Sequence, residues 1–132
     1  MKTIAVVEDN ADNRLLLQAI LDGVYDIVEY ENGIDALAGL TANHPDLVLL
    51  DISLPGMDGN AILARIRADD ALRHLPVIAL TAHAMSGDRE KYLAAGFDDY
   101  ITKPIVDETI LLGAIERWLP GRTGADKGGR TV

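Results

Sequence analysis

Three continuously apolar runs each hand over to polar side chains: Ile4-Ala5-Val6-Val7 to Glu8-Asp9, Leu47-Val48-Leu49-Leu50 to Asp51, and Val77-Ile78-Ala79-Leu80 to Thr81. A shorter strand-like piece, Asp98-Asp99-Tyr100-Ile101-Thr102, leads into Lys103-Pro104. If these runs are parallel neighbours, their ends converge. Carboxylates gathered at one crevice repel one another, so protons or a cation must offset their charge. An oxygen-only cluster suits Mg²⁺, which binds through one or two carboxylates, keeps waters and accepts phosphate oxygens. Lys103 and the Thr81 hydroxyl on the same rim would compensate the charge of a transferring phosphoryl group, which is most of what such transfer asks of a protein. Asp51 then has one natural role, that of a nucleophile forming an aspartyl phosphate. Taken singly the same residues have plainer uses. Asp51 suits a turn or a helix cap, Glu8-Asp9-Asn10 suits the cap of a following helix, and Pro55-Gly56 and Asp58-Gly59 are turn chemistry. Their recurrence at sister strand ends is what favours the chemical reading.

The elements that must position these groups follow from periodicity. Continuous apolar runs at 4–7, 47–50 and 77–80 are the pattern of parallel strands covered on both faces. Asp26-Ile27-Val28-Glu29-Tyr30 and residues 98–102 mix polar with apolar and suit sheet edges. Helical patterns lie between them, at about 11–23, 33–43, 59–69, 86–95 and 106–119, the last with Ile110, Leu111, Ala114, Ile115, Trp118 and Leu119 at three- and four-residue spacing. Strict alternation predicts an α/β fold: a doubly wound five-stranded parallel sheet with five helices and right-handed crossovers. Of the two common strand orders, 2-1-3-4-5, the flavodoxin-like one, sets strands 2 and 5 at the edges. It also brings the carboxyl ends of strands 1 and 3 to the topological switch point where ligands bind.

The 132 residues predict one domain over 1–120 with no separate effector module, followed by a tail over 121–132 whose glycine and charge offer almost nothing to bury. With 21 acidic residues against 12 basic ones, the net charge of −9 opposes a phosphate backbone and points to proteins and cations as partners. Without cysteine, thiolate catalysis and cysteine-ligated zinc are excluded. His44, His74 and His83 share no metal-ligand spacing and are expected at the surface. No run of about 18 apolar residues exists and the start enters a strand directly, so a cytoplasmic protein with no membrane span or signal is expected.

Over residues 1 to about 120 the chain resembles a response-regulator receiver domain (the CheY-like fold), with Glu8-Asp9, Asp51, Leu54-Pro55-Gly56-Met57-Asp58-Gly59, Thr81-Ala82, and Tyr100 three places before Lys103-Pro104. The resemblance implies that a histidine kinase or histidine phosphotransfer protein gives its phosphoryl group to Asp51. It implies Mg²⁺ held by Glu8, Asp9, Asp51 and the backbone carbonyl of Ser53, directly or through water, with Thr81 and Lys103 on the phosphoryl oxygens and a cis Lys103-Pro104 bond. Many members carry Asp-Asp where this chain has Glu8-Asp9. Thr81 and Tyr100 are the implied switch, biasing a surface formed by helix 4, strand 5 and helix 5 toward a downstream partner protein. Ser53 and His83 occupy positions that tune phosphate lifetime in the family. Such a protein is a phospho-accepting switch, assisting its own phosphorylation and dephosphorylation, rather than a turnover enzyme. Stand-alone receivers of the chemotaxis and DivK types act without a DNA-binding module, as a monomer or weak dimer.

Helix 1 carries Leu15-Leu16-Leu17, which span about 200° of a helix turning roughly 100° per residue, so all three cannot face the sheet. Asn13, Arg14 and Leu17 are the expected rim where a kinase helix docks. Three rivals differ in chemistry. A flavin-binding redox protein shares the strand order but needs a hydroxyl- and glycine-rich loop where this chain has Glu8-Asp9-Asn10-Ala11-Asp12. A metal-dependent phosphohydrolase of the haloacid-dehalogenase kind needs a second acid two residues past the nucleophile, and here that place is Ser53. A receiver cut from a hybrid kinase would share every motif.

Overall fold

The computed structural model describes residues 2–52, 54, 59–82, 88–103, 105 and 107–119. Strand and helix alternate through β1 (Thr3–Val7), α1 (Ala11–Leu21), β2 (Asp26–Tyr30), α2 (Gly33–Ala42), β3 (Leu47–Asp51), α3 (Gly59–Ala68), β4 (Val77–Thr81), α4 (Asp88–Ala95), β5 (Asp99–Thr102) and α5 (Glu108–Trp118). All strand pairings are parallel and the order is β2-β1-β3-β4-β5, as alternation and the polar edge strands required. The proposed tail at 121–132 lies outside the described residues. No helix among the described residues is long and apolar enough to cross a membrane.

Alternation along each strand divides the core in two. Ala5, Val7, Val48, Leu50, Val77 and Ala79 face α2, α3 and α4, where Leu40, Ile62 and Ile66 meet them. Ile4, Val6, Leu47, Leu49, Ile78 and Leu80 face α1 and α5, where Leu17, Leu21, Leu111 and Ile115 close the other side. The three central strands are apolar throughout because neither face is wet.

Helix ends depart from the periodic pattern where backbone chemistry intervenes. α1 stops at Leu21 rather than 23, because Asp22 caps it and Gly23 takes φ 79°. α5 starts at Glu108 rather than 106, because the Asp107 side chain accepts from the Thr109 amide, as an N-cap does. The Thr109 bonds hold the Asp107 carboxyl below its ordinary range. Of the histidines, His44 and His74 are exposed as expected and His83 lies outside the described residues. Trp118 is partly buried, and its indole N–H donates to Asp99 Oδ2 at 3.0 Å, pinning α5 to β5.

Two features fix the site end of the sheet. Gly59 opens α3 directly behind β3, where a Cβ would fall 2.7 Å from the Asp51 carbonyl oxygen and 2.8 Å from Ile52 Cα. Arg67 of α3 reaches across to donate to the carbonyls of Arg73, Leu75 and Gly96 and to Asp98 Oδ2, tying the approaches to β4 and β5 to one side chain.

Candidate functional site

Glu8, Asp51 and Lys103 each follow an inward side chain of the α1/α5 face by two residues, so parallel strands deliver them to one point at the carboxyl edge. Lys103 Nζ lies 3.1 Å from Asp51 Oδ2 and 3.2 Å from Glu8 Oε1. Glu8 is fully buried and Asp51 is 2% exposed, whereas Asp9 beside them is exposed. One carboxylate oxygen from each of Glu8, Asp9 and Asp51 lies within 4.8 Å of the other two, the convergence the strand ends predicted.

The sequence around Glu8 holds it there. Its backbone amide donates to the Tyr30 carbonyl on β2. The Asn10 amide donates to Glu8 Oε2 at 3.2 Å, the Asn13 side chain to Oε1 at 3.4 Å, and the Arg14 guanidinium to the Glu8 carbonyl at 2.8 Å. Asn10 also caps α1 by accepting from the Asn13 amide at 3.0 Å, so one turn both starts the helix and builds the acid pocket.

The electrostatics are those of a pocket short of positive charge. Burial pushes the Glu8 carboxyl up to about 7, reinforced by its hydrogen bond with Asp51 and the Asp51 charge. Burial would lower Lys103, but its bonds to Asp51 and Glu8 outweigh that and hold it above its ordinary value. Once Glu8 loses its proton, three carboxylates facing one ammonium would leave two negative charges uncompensated, and the donors are all oxygen. That set fits a hard divalent cation. The structure therefore supports Glu8, Asp9 and Asp51 as a possible metal set; the Ser53 carbonyl and the Lys103-Pro104 bond fall outside the described residues.

Thr81, 2% exposed, closes β4 on the other face, in line with Ala79. Its hydroxyl lies 2.9 Å from the hydroxyl of Tyr92 on α4. The Tyr92 ring packs tilted on Tyr100, with centroids 5.7 Å apart, and edge-on to Phe97 at 6.1 Å. Nothing in a motif singles out Tyr92. The available signal is composition: in Asp88–Ala95 the large apolar side chains are Tyr92 and Leu93, and one of them must anchor the helix.

The expected docking rim needs one correction. Of the three consecutive leucines, Leu17 is 2% exposed and belongs to the core, while Leu15 and Leu16 are 61% and 39% exposed. The phase of α1 gives Leu17 to the sheet; it lines the pocket that holds Glu8 and Lys103 from the core side, and Leu16 and Asn13 border the same pocket. Arg14 turns inward to Glu8 and toward Glu31 instead of presenting itself to solvent.

The doubly wound sheet carries buried acids and a lysine at its switch point, and the family model described as response regulator receiver domain matches residues 4–116. The chain belongs to that family. It is similar to the polar-differentiation response regulator DivK of Brucella anthropi, 41% identical over 105 residues that cover 79% of this chain and 85% of the relative. Among solved structures it is similar to the signal receiver domain of a signal transduction histidine kinase from Syntrophus aciditrophicus, with TM-score 0.82, 32% identity and 96% of each chain covered. It is also similar to the receiver domain of a sensor histidine kinase from Pseudomonas aeruginosa, with TM-score 0.80, 37% identity, and 89% of this chain and 96% of that one covered. That structure holds a magnesium ion coordinated in its active-site cleft. The protein is thus a DivK-like receiver domain of two-component signalling, and receiver domains are signalling switches.

Proposed function

We propose that this chain is a response regulator, with its receiver domain over 1–120, that accepts a phosphoryl group on Asp51 from a histidine kinase or histidine phosphotransfer protein. An Asp51 carboxylate oxygen attacks phosphorus, the phosphorus–nitrogen bond breaks, and its electron pair returns to the donor imidazole. Lys103, held 3.1 Å from Asp51, follows the negative charge onto the phosphoryl oxygens, and the Thr81 hydroxyl donates to another of them. Glu8, Asp9, Asp51 and the Ser53 carbonyl would hold Mg²⁺, which supplies neutralisation of phosphoryl charge when bound. By the family resemblance Ser53 and His83 would tune the lifetime of the phosphate, while Asn13 and the exposed Leu16 border the face a kinase helix would cover. Thr81 and Tyr100 carry the change to the α4-β5-α5 surface, where a downstream protein reads it in the cytoplasm.

The observation that carries this reading is the contact of buried Asp51 with Lys103 inside the three-acid cluster. Incubation with a small phosphodonor and Mg²⁺, followed by intact-protein mass spectrometry, should add one phosphoryl group to the wild type and none to Asp51→Asn. Labelling that persists in Asp51→Asn would move the phosphosite elsewhere, and wild type that stays unlabelled would remove the function.

A further inference from the structure

We infer that Tyr92 is a positioning residue for the phosphoryl site: its hydroxyl holds the Thr81 side chain on the α4 side of the sheet, and this bond keeps α4 in the resting arrangement. The inference rests on the phosphoryl-accepting role of Asp51 proposed above and adds the group that opposes the switch.

Two placements carry it. Thr81 belongs by alternation to the face of Ala79, covered by α2, α3 and α4, whereas Asp51 belongs to the face of Leu49, covered by α1 and α5. The Thr81 backbone cannot bring its side chain across, because its carbonyl accepts from the Lys103 amide at 2.7 Å and the neighbouring Leu80 carbonyl accepts from Ile52. Reaching a phosphoryl oxygen on Asp51 therefore takes a rotation of the Thr81 side chain around the end of the sheet, away from Tyr92.

The second placement is the hydrogen bond itself. An anionic phosphoryl oxygen needs the Thr81 hydroxyl as a donor, and that hydroxyl cannot lie against Tyr92 and reach the other face at once. The 2.9 Å contact joins two buried hydroxyls, Thr81 at 2% and Tyr92 at 5% exposure, in a setting where a hydrogen bond is stronger than in water. Binding the phosphoryl group moves the Thr81 hydroxyl off Tyr92, whichever of the two donates in the resting contact. Because Tyr92 also packs on Tyr100 and Phe97, its release loosens α4 and the Tyr100 ring together.

Tyr92→Phe removes the hydroxyl and keeps the ring. With an ordinary net worth for one neutral hydrogen bond, it should raise the rate of Asp51 phosphorylation by a small phosphodonor about three- to tenfold. In amide NMR spectra of the unphosphorylated protein, α4 resonances should move toward their positions in the beryllofluoride–Mg²⁺ form. Thr81→Val breaks the same bond from the other side and should displace the same resting resonances in the same direction, with the double variant shifting no further than either. A Tyr92→Phe protein labelled at the wild-type rate, with α4 resonances superimposed on wild type, would overturn the inference while leaving Asp51 as acceptor. Additive displacements in the double variant would overturn it too. Failure to label wild-type Asp51 would remove the inference and the proposed function together.

Discussion

Glu8 is fully buried beside Asp51, and the fold keeps its proton up to about pH 7, whereas an unfolded glutamate releases it near 4.5. Between those values the folded state binds more protons than the unfolded one. The Glu8 contribution to stability is therefore complete below about 4.5 and lost as pH rises through about 7. In chelator, urea unfolding of the wild type should show this decline, and Glu8→Gln should flatten it; parallel profiles for the two would rule out Glu8 as the cause. Glu8, Asp9, Asp51 and Lys103 were legible in the sequence because each ends an apolar run, and strand order alone brings the ends together. Tyr92 was not, because its partner Thr81 ends the preceding strand and no spacing rule links a helix hydroxyl to a strand end. That Leu17 is the buried one of the three leucines was not legible for a related reason. Three adjacent leucines leave the phase of a helix open, and only packing against β1 and β3 decides which one turns in.

At the scale of elements, the joint between β3 and α3 bears most directly on the site. Gly59 lets the helix start against the Asp51 and Ile52 backbone, while Gly113 in the middle of α5 has open space around it. One substitution should therefore have opposite signs at the two positions. Gly59→Ala should cost about 1–3 kcal/mol because backbone must move. Gly113→Ala should gain about 0.4–1 kcal/mol through the unfolded chain. Chemical denaturation midpoints check both, and a Gly59→Ala protein as stable as wild type would mean that α3 is free to shift. The strands were readable almost to the residue, because two-sided burial leaves an unbroken apolar run that polar residues delimit. Helix ends were less so, since Asp22 and Asp107 act as caps through local hydrogen bonds that hydrophobic periodicity does not see.

For the whole molecule, a chain of net charge −9 exposes Leu15 and Leu16 on α1, and Leu16 borders the acid pocket, an apolar strip on a strongly acidic chain. A docking helix would bury that strip. Leu16→Gln should therefore lower the ratio of kinase-driven to small-donor phosphorylation about tenfold, the cost of one interface contact of moderate strength. An unchanged ratio would exclude α1 as the kinase face. The topology itself was legible because polar β2 and β5 sit at the margins and the apolar strands between them, which leaves little freedom in ordering five strands.

The division of side chains between the two faces has a further consequence. Asp51, Glu8 and Lys103 stand on one side of a wall of backbone, and Thr81, Tyr92 and Tyr100 stand on the other. In the proposed switch, a change at Asp51 would reach the other face around the rim of the sheet. Sequence drift in the middle of the wall alters how firmly the molecule holds together, whereas drift along that rim rewrites what it says.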